Sequence, residues 1–294
     1  IILFFIAVGL TLLKPDNWTN PATGGFAPNG LSGIGAGAAI IFFSYIGFDA
    51  VSTAAEESKD PGKDMPFGII MSLAICTVLY IALSAVMTGI APWQTLGTAE
   101  PMITALTFAE GPPRLLSASR FIISLGAVIA MFSVLLVFQL GQPRIFMSMS
   151  RDGLLPPFLA KVHPKFKTPY VGTILTGIFV GVFAAFANIA EVVDLTNIGT
   201  LFAFVLVSLG VIVLRYKEPE RVRPFRVPFV PWTPMISIVA CLYLMFKLPK
   251  VTWERFGIWL LVGLVIYFLY GVRHSRLRIK DNAAGQGGSG AARL

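Results

Sequence analysis

Apolar positions run along this chain in long stretches that no charge interrupts. Residues 17–48, 65–99, 121–143, 168–190, 195–214, 227–246 and 256–272 contain no Asp, Glu, Lys or Arg. Each reaches the roughly 17 to 25 residues that a helix needs to cross a bilayer. The pattern predicts an all-α integral membrane protein with seven full spans. At about 20 residues each, these spans take up roughly half of the chain and leave no room for a large soluble domain. A further apolar stretch at 1–13, IILFFIAVGLTLL, is short for a span and has neither an initiator Met nor a basic leader segment. It is expected to be the end of a helix that begins upstream, which makes the sequence the C-terminal part of a longer protein.

Composition agrees with the pattern: 55% of residues are hydrophobic, 13% are charged and mean hydropathy is +0.77. About 25% charged is normal for soluble domains, so an ordinary soluble enzyme is excluded. The positions of the charges add an orientation. Alternate loops place 17 of the 23 Lys and Arg residues on one side, from Lys59 and Lys63 through 144–167 and 215–226 to Arg273 and beyond. Cationic loops are retained in the cytoplasm, so that side and the C-terminus are predicted to be cytoplasmic. Loops 14–30, 92–118, 189–194 and 247–255 then face outward. The net charge of +8 is accounted for by topology and lipid headgroups without nucleic acid. Cys76, Cys241, His163 and His274 are too few and too scattered for a metal cluster or a disulfide framework. No cofactor is expected. The Gly/Ala/Ser-rich segment within 273–294 reads as a disordered cytoplasmic tail.

The first full span carries the chemistry. Phe43-Ser44-Tyr45-Ile46-Gly47-Phe48 alternates aromatic and small residues, and an ionisable Asp49 follows before the apolar run is long enough to cross a bilayer after the loop. Gly47 costs a helix about 1 kcal/mol relative to Ala, and a carboxylate within a span costs on the order of 3 kcal/mol. A helix that breaks near 46–48 and restarts with Asp49 as its N-cap would offset both costs. Unwound backbone at membrane depth is tolerated where it is buried in protein or lines a wet cavity, and in transporters such interruptions form the solute site. Asp49 is therefore read as a helix cap or as a proton or ligand site, and the two roles are compatible. An aspartyl protease is excluded because no second carboxylate lies within another span, and no nucleophile–His arrangement points to an enzyme. Gly33-x-Gly35-x-x-Ala38 and Gly177-x-x-x-Gly181 are expected to let helices approach closely and not to bind a dinucleotide.

Later segments add less. Residues 141–169 are predicted to be a cytoplasmic loop with a short interfacial helix closed by Gly153. In the preceding span, Gly126, Ala127, Ala130, Met131, Ser133 and Gln139 form a small, weakly polar strip. Packing and cavity lining are both open to it.

Three blocks, FFSYIGFDAVSTAAEESKDPGKDMPFGI, GQPRIFMSMSRDGLLP and VDLTNIGTLFAFVLVSLGVIVLRY, resemble bacterial members of the amino acid–polyamine–organocation (APC) superfamily, close to the cationic amino acid transporter branch. The resemblance implies a twelve-helix transporter built on a five-plus-five inverted repeat, of which this chain would be the second half plus two extra C-terminal helices. Residues 1–13 would end helix five and 14–30 form an outer loop. Helices six to ten would fall within 31–214, and 215–272 would hold a cytoplasmic loop with helices eleven and twelve. It implies that carbonyls of Phe43, Ser44 and Ile46 hold the amino group of an amino acid substrate, that Gly47 permits the break and that Phe48 covers the site. Ala130 or Met131 would face the substrate side chain. Ser133 would be a candidate for coupling to an ion, with a proton or sodium ion left open. The glycine-rich break of helix one is absent from this sequence. The function implied is secondary active amino acid transport across the cell membrane by alternating access; the alternative is a non-transporting membrane assembly partner or a channel-like pore.

Overall fold

The structure, a computed structural model, describes residues 1–19, 27–48, 51–52 and 58–275. Asp49 and most of the C-terminal tail lie outside them. The described elements are all helical: α1 (Ile2–Thr11), α2 (Asp16–Thr19), α3 (Gly30–Ile41), α4 (Pro61–Ile90), α5 (Pro101–Phe108), α6 (Pro113–Arg151), α7 (Tyr170–Phe186), α8 (Ile189–Lys217), α9 (Trp232–Lys247) and α10 (Lys250–Ile266), with a π turn at Tyr267–Gly271 leading into α11 (Val272–His274). Prolines open α4, α5 and α6, where the missing N–H would have had no intrahelical partner. Asn188 caps α8 by accepting from the Ala190 N–H at 3.1 Å, and Glu191 and Arg215 sit at the helix ends that favour their charges.

Among the described residues, four of the seven uncharged windows become helices long and apolar enough to cross a membrane: α4, α6, α8 and the continuous stretch Lys250–His274. The most apolar parts of α4, α6 and Lys250–His274 bury only 6% of their residues, as surfaces that face lipid do. The other three windows hold shorter helices. At 1.5 Å per residue, the 17 residues of α7 and 16 of α9 span about 24 to 26 Å, near the lower bound for a crossing.

The chain divides into two compact units. The first is Ile1–Leu135 with Val222–Arg226. Its core joins α1, α4, α5 and the start of α6 through Phe5, Leu12, Val86, Ile90, Leu106 and Ile123. Gly9 lets α1 close onto Val86 of α4. At the end of that contact the Lys14 N–H and the Asn17 side-chain amide both donate to the Gly89 carbonyl (2.9 Å each), and the Trp18 indole donates to Thr88 Oγ1 at 3.1 Å.

The second unit is Leu136–Arg221 with Val227–Leu294. α8 buries Asn197, Ile198, Leu201 and Val205, packs along α9 and meets it in a Ser208–Ser237 hydrogen bond of 3.1 Å. α10 lies on α8 through the edge-on Phe202–Phe256 pair and the Arg255–Glu191 ion pair of 3.1 Å. Gly172 brings α7 against Pro143, and the Gln139 amide donates to the Thr173 carbonyl at 2.7 Å. Segment 141–151, expected to open a loop with a helix of its own, instead continues α6, which is 39 residues long. Arg144 ends the uncharged window without ending the helix, and Pro143 removes only one ladder bond. The stop is Gly153, at φ +81°. The Leu154 N–H reaches back to the Met149 carbonyl (2.9 Å) and the Gly153 N–H to that of Ser150 (3.1 Å), a Schellman closure.

A broken helix as candidate solute site

Helix α3 fails from within. The α-helical ladder ends at Ile41, residues Phe42–Tyr45 tighten into a 3-10 turn, and Ile46 swings to extended backbone at φ −61°, ψ 131°. Gly47 follows at φ +122°, a region that a residue with a Cβ enters only at a cost of order 1–3 kcal/mol. Phe43 and Ser44 are exposed, while Ile46, Gly47 and Phe48 are half-buried. The Phe43 carbonyl accepts from the Ile46 N–H at 3.2 Å, closing the turn.

What fastens the turn comes from α4. The Tyr80 hydroxyl donates to the Ser44 carbonyl at 3.1 Å. The rings of Tyr45 and Tyr80 meet edge-on, with centroids 5.2 Å apart and planes at 78°. Tyr80 was not among the residues expected at the site. Its signal in the sequence is a phenol in the uncharged window 65–99, where a half-buried hydroxyl needs a partner. Asp49, expected as cap or proton site, lies outside the described residues.

The α6 candidates are placed differently. Met131 is 66% exposed, and Ala130 and Ser133 are exposed with it. The Ser133 hydroxyl donates to the Ile129 carbonyl of its own helix at 3.1 Å. Thus the hydrogen bond and ring pair above tie the break to α4, while these three residues stand on an open face of α6. The strip they belong to also packs: Gly126 receives Ile1. Among the described residues no group of His, Cys, Asp and Glu is arranged to hold a metal ion.

A cavity lies elsewhere, within the second unit. It measures about 1000 Å³, is walled by Phe179, Phe183, Phe256 and Trp259, and carries the Glu191–Arg255 pair on its lining. None of the candidate residues contributes to it.

The sequence profile of the amino acid permease family matches residues 1–269. The chain belongs to that family. It is 50% identical to the methylthioribose transporter of Bacillus subtilis and 47% identical to the branched-chain amino acid permease BcaP of the same organism, each over 277 residues. Both alignments cover 94% of this chain and 58% of the relative. A vacuolar cationic amino acid transporter of Arabidopsis thaliana is 40% identical over 222 residues, 75% of this chain and 36% of that one. The chain thus spans well under two thirds of the length of the curated relatives it matches.

Proposed function

We propose that the protein to which this chain belongs is a secondary active amino acid transporter that works by alternating access around the break at Phe43–Phe48. The observation that carries this reading is the interruption itself: an apolar helix that turns through Ile46 and Gly47 within a chain of a permease family. Unwound carbonyls are fixed dipoles, and at membrane depth they suit the ammonium of a substrate. In this reading the carbonyls of Phe43, Ser44 and Ile46 hold the amino group, Gly47 permits the turn, and Phe48 covers the solute. Ala130 or Met131 faces the solute side chain and Ser133 serves the coupling ion, a proton or sodium. Asp49, directly after the break in sequence, serves as a helix cap or a proton site. The charge split between loops supports a protein of the cell membrane with a cytoplasmic C-terminus.

A second reading of the solute has its own support, the 50% identity to a methylthioribose transporter. Methylthioribose is a thio-sugar without an amino group, and its hydroxyls would donate to the carbonyls that otherwise hold ammonium. Uptake by the full-length protein in liposomes tests both readings, with radiolabelled leucine, arginine and methylthioribose offered under proton and sodium gradients. Saturable, gradient-driven accumulation of an amino acid is the expected result. Accumulation of methylthioribose alone favours the second reading, flux without saturation favours a pore, and no flux of any solute favours an assembly partner.

A further inference from the structure

We propose that Tyr80 is a positioning residue for solute binding, clamping the Ser44 carbonyl through its hydroxyl. The inference rests on the reading that the break is the solute site and adds a residue on a different helix. A chain that leaves the α-helix gives up ladder bonds, and its last carbonyls must find other donors. Tyr80 supplies one to Ser44 at 3.1 Å across 36 residues of sequence, from a rigid 30-residue helix. A carbonyl oxygen has two lone pairs, so a phenol on one leaves the other for an ammonium or hydroxyl of the solute. The edge-on contact with Tyr45 holds the donating ring from the side, and Tyr45 neighbours Ser44 in the same 3-10 turn. Hydroxyl and ring together fix where the Ser44 oxygen points, in a segment whose next two residues, Ile46 and Gly47, have left helical geometry.

A positioned acceptor favours binding more than the subsequent conformational cycle, so its loss should be read in KM. The test is Tyr80→Phe in the full-length protein, which removes the hydroxyl and keeps the ring. Thr77→Val is the control: one turn earlier on α4, the Thr77 hydroxyl donates only within its own helix, to Leu73 at 2.8 Å. Two measurements are made. In hydrogen exchange with mass spectrometry, Tyr80→Phe is expected to speed exchange of residues 42–48 several-fold and to leave residues 81–90 of α4 unchanged. In uptake of the solute that the wild type carries, KM is expected to rise about tenfold with kcat within about twofold, and Thr77→Val to match wild type in both. An unchanged KM overturns the positioning role even if exchange rises. A parallel fall of kcat and thermal stability overturns it too, since that marks a merely structural tyrosine. If the wild type carries none of the three solutes, the functional reading fails on its own, and unchanged exchange in Tyr80→Phe then overturns the clamp while faster exchange supports it.

Discussion

At Phe48 two roles make opposite demands on a substitution. A phenylalanine that fills a core costs about 3 to 5 kcal/mol when cut back to alanine, whereas one that covers a cavity costs far less stability and more function. Phe48 follows a glycine at φ +122° and is only half-buried, so we expect Phe48→Ala in the full-length protein to impair uptake while thermal stability stays nearly unchanged. A large fall in melting temperature with normal uptake per folded molecule would assign it to packing. Away from the spans, Lys14 lies 2.6 Å from Glu110, and the hydrogen bond and charge of the lysine hold the Glu110 carboxyl below its ordinary value. A depressed carboxylate stabilises the fold above its unfolded value, about 4.3, and that contribution fades as pH falls through the lower, folded value. Melting curves from about pH 6 down to about pH 3 should therefore be slightly steeper in pH for wild type than for Glu110→Gln, with the difference shrinking in high salt because both side chains are exposed. The residues also differ in how far they announce themselves. Gly47 does so locally, because a glycine inside an apolar run weakens a helix wherever it stands. Tyr80 shows only that a phenol in an uncharged window needs a partner, and not which one, since the Ser44 carbonyl lies 36 positions away and only the packing of α4 brings it near.

Among elements, the end of α6 has a sharp requirement. Gly153 sits at φ +81°, and a Cβ there would collide with the His274 backbone carbonyl at the end of the last described helix. Gly153→Ala is expected to lower stability by about 1 to 3 kcal/mol, seen as a drop in melting temperature. Gly153→Asn separates the causes: asparagine tolerates left-handed backbone, so it should rescue stability only if conformation and not the close approach to His274 is the constraint. We expect no rescue. Element existence was legible in the sequence wherever apolar length alone decides it, which is why α4, α6, α8 and α10 fall in the uncharged windows 65–99, 121–143, 195–214 and 256–272. Their ends were less so. The charge at Arg144 marks where the chain meets polar surroundings, but a helix can carry arginine in its last turns and stops only where backbone geometry forces it, here at Gly153. The stretch 92–118 shows no element in its sequence pattern, yet it holds α5, whose start is marked by Pro101 and whose apolar residues Ala105 and Leu106 are fully buried against α1 and α4 partners. Eight residues are too few for periodicity to stand out from a loop.

For the whole molecule, the telling quantity is how much apolar surface the chain leaves without protein cover. Phe121, Met131, Phe132 and Leu136 along α6 are each 64–70% exposed, and the same holds for Ile236, Val239 and Phe246 of α9 at 66–73%. Lipid can cover such faces, but a solute site needs ligand groups converging from more than one element, and here Ala130, Met131 and Ser133 look out from an open helix face. The relatives are longer: this chain aligns to 58% of the methylthioribose transporter and of BcaP. On the proposed reading, alternating access needs one group of helices to rock against another around the site, and this chain aligns to only part of the length of its relatives. Residues 1–294 expressed and purified by themselves should therefore insert into liposomes as a helical protein, visible by circular dichroism, and accumulate neither leucine, arginine nor methylthioribose under a proton or sodium gradient. The full-length protein, assayed in the same vesicles, is expected to accumulate at least one of them. Concentrative, saturable uptake by residues 1–294 alone would overturn this expectation and would mean that the break on α3 and the open face of α6 suffice for a complete site.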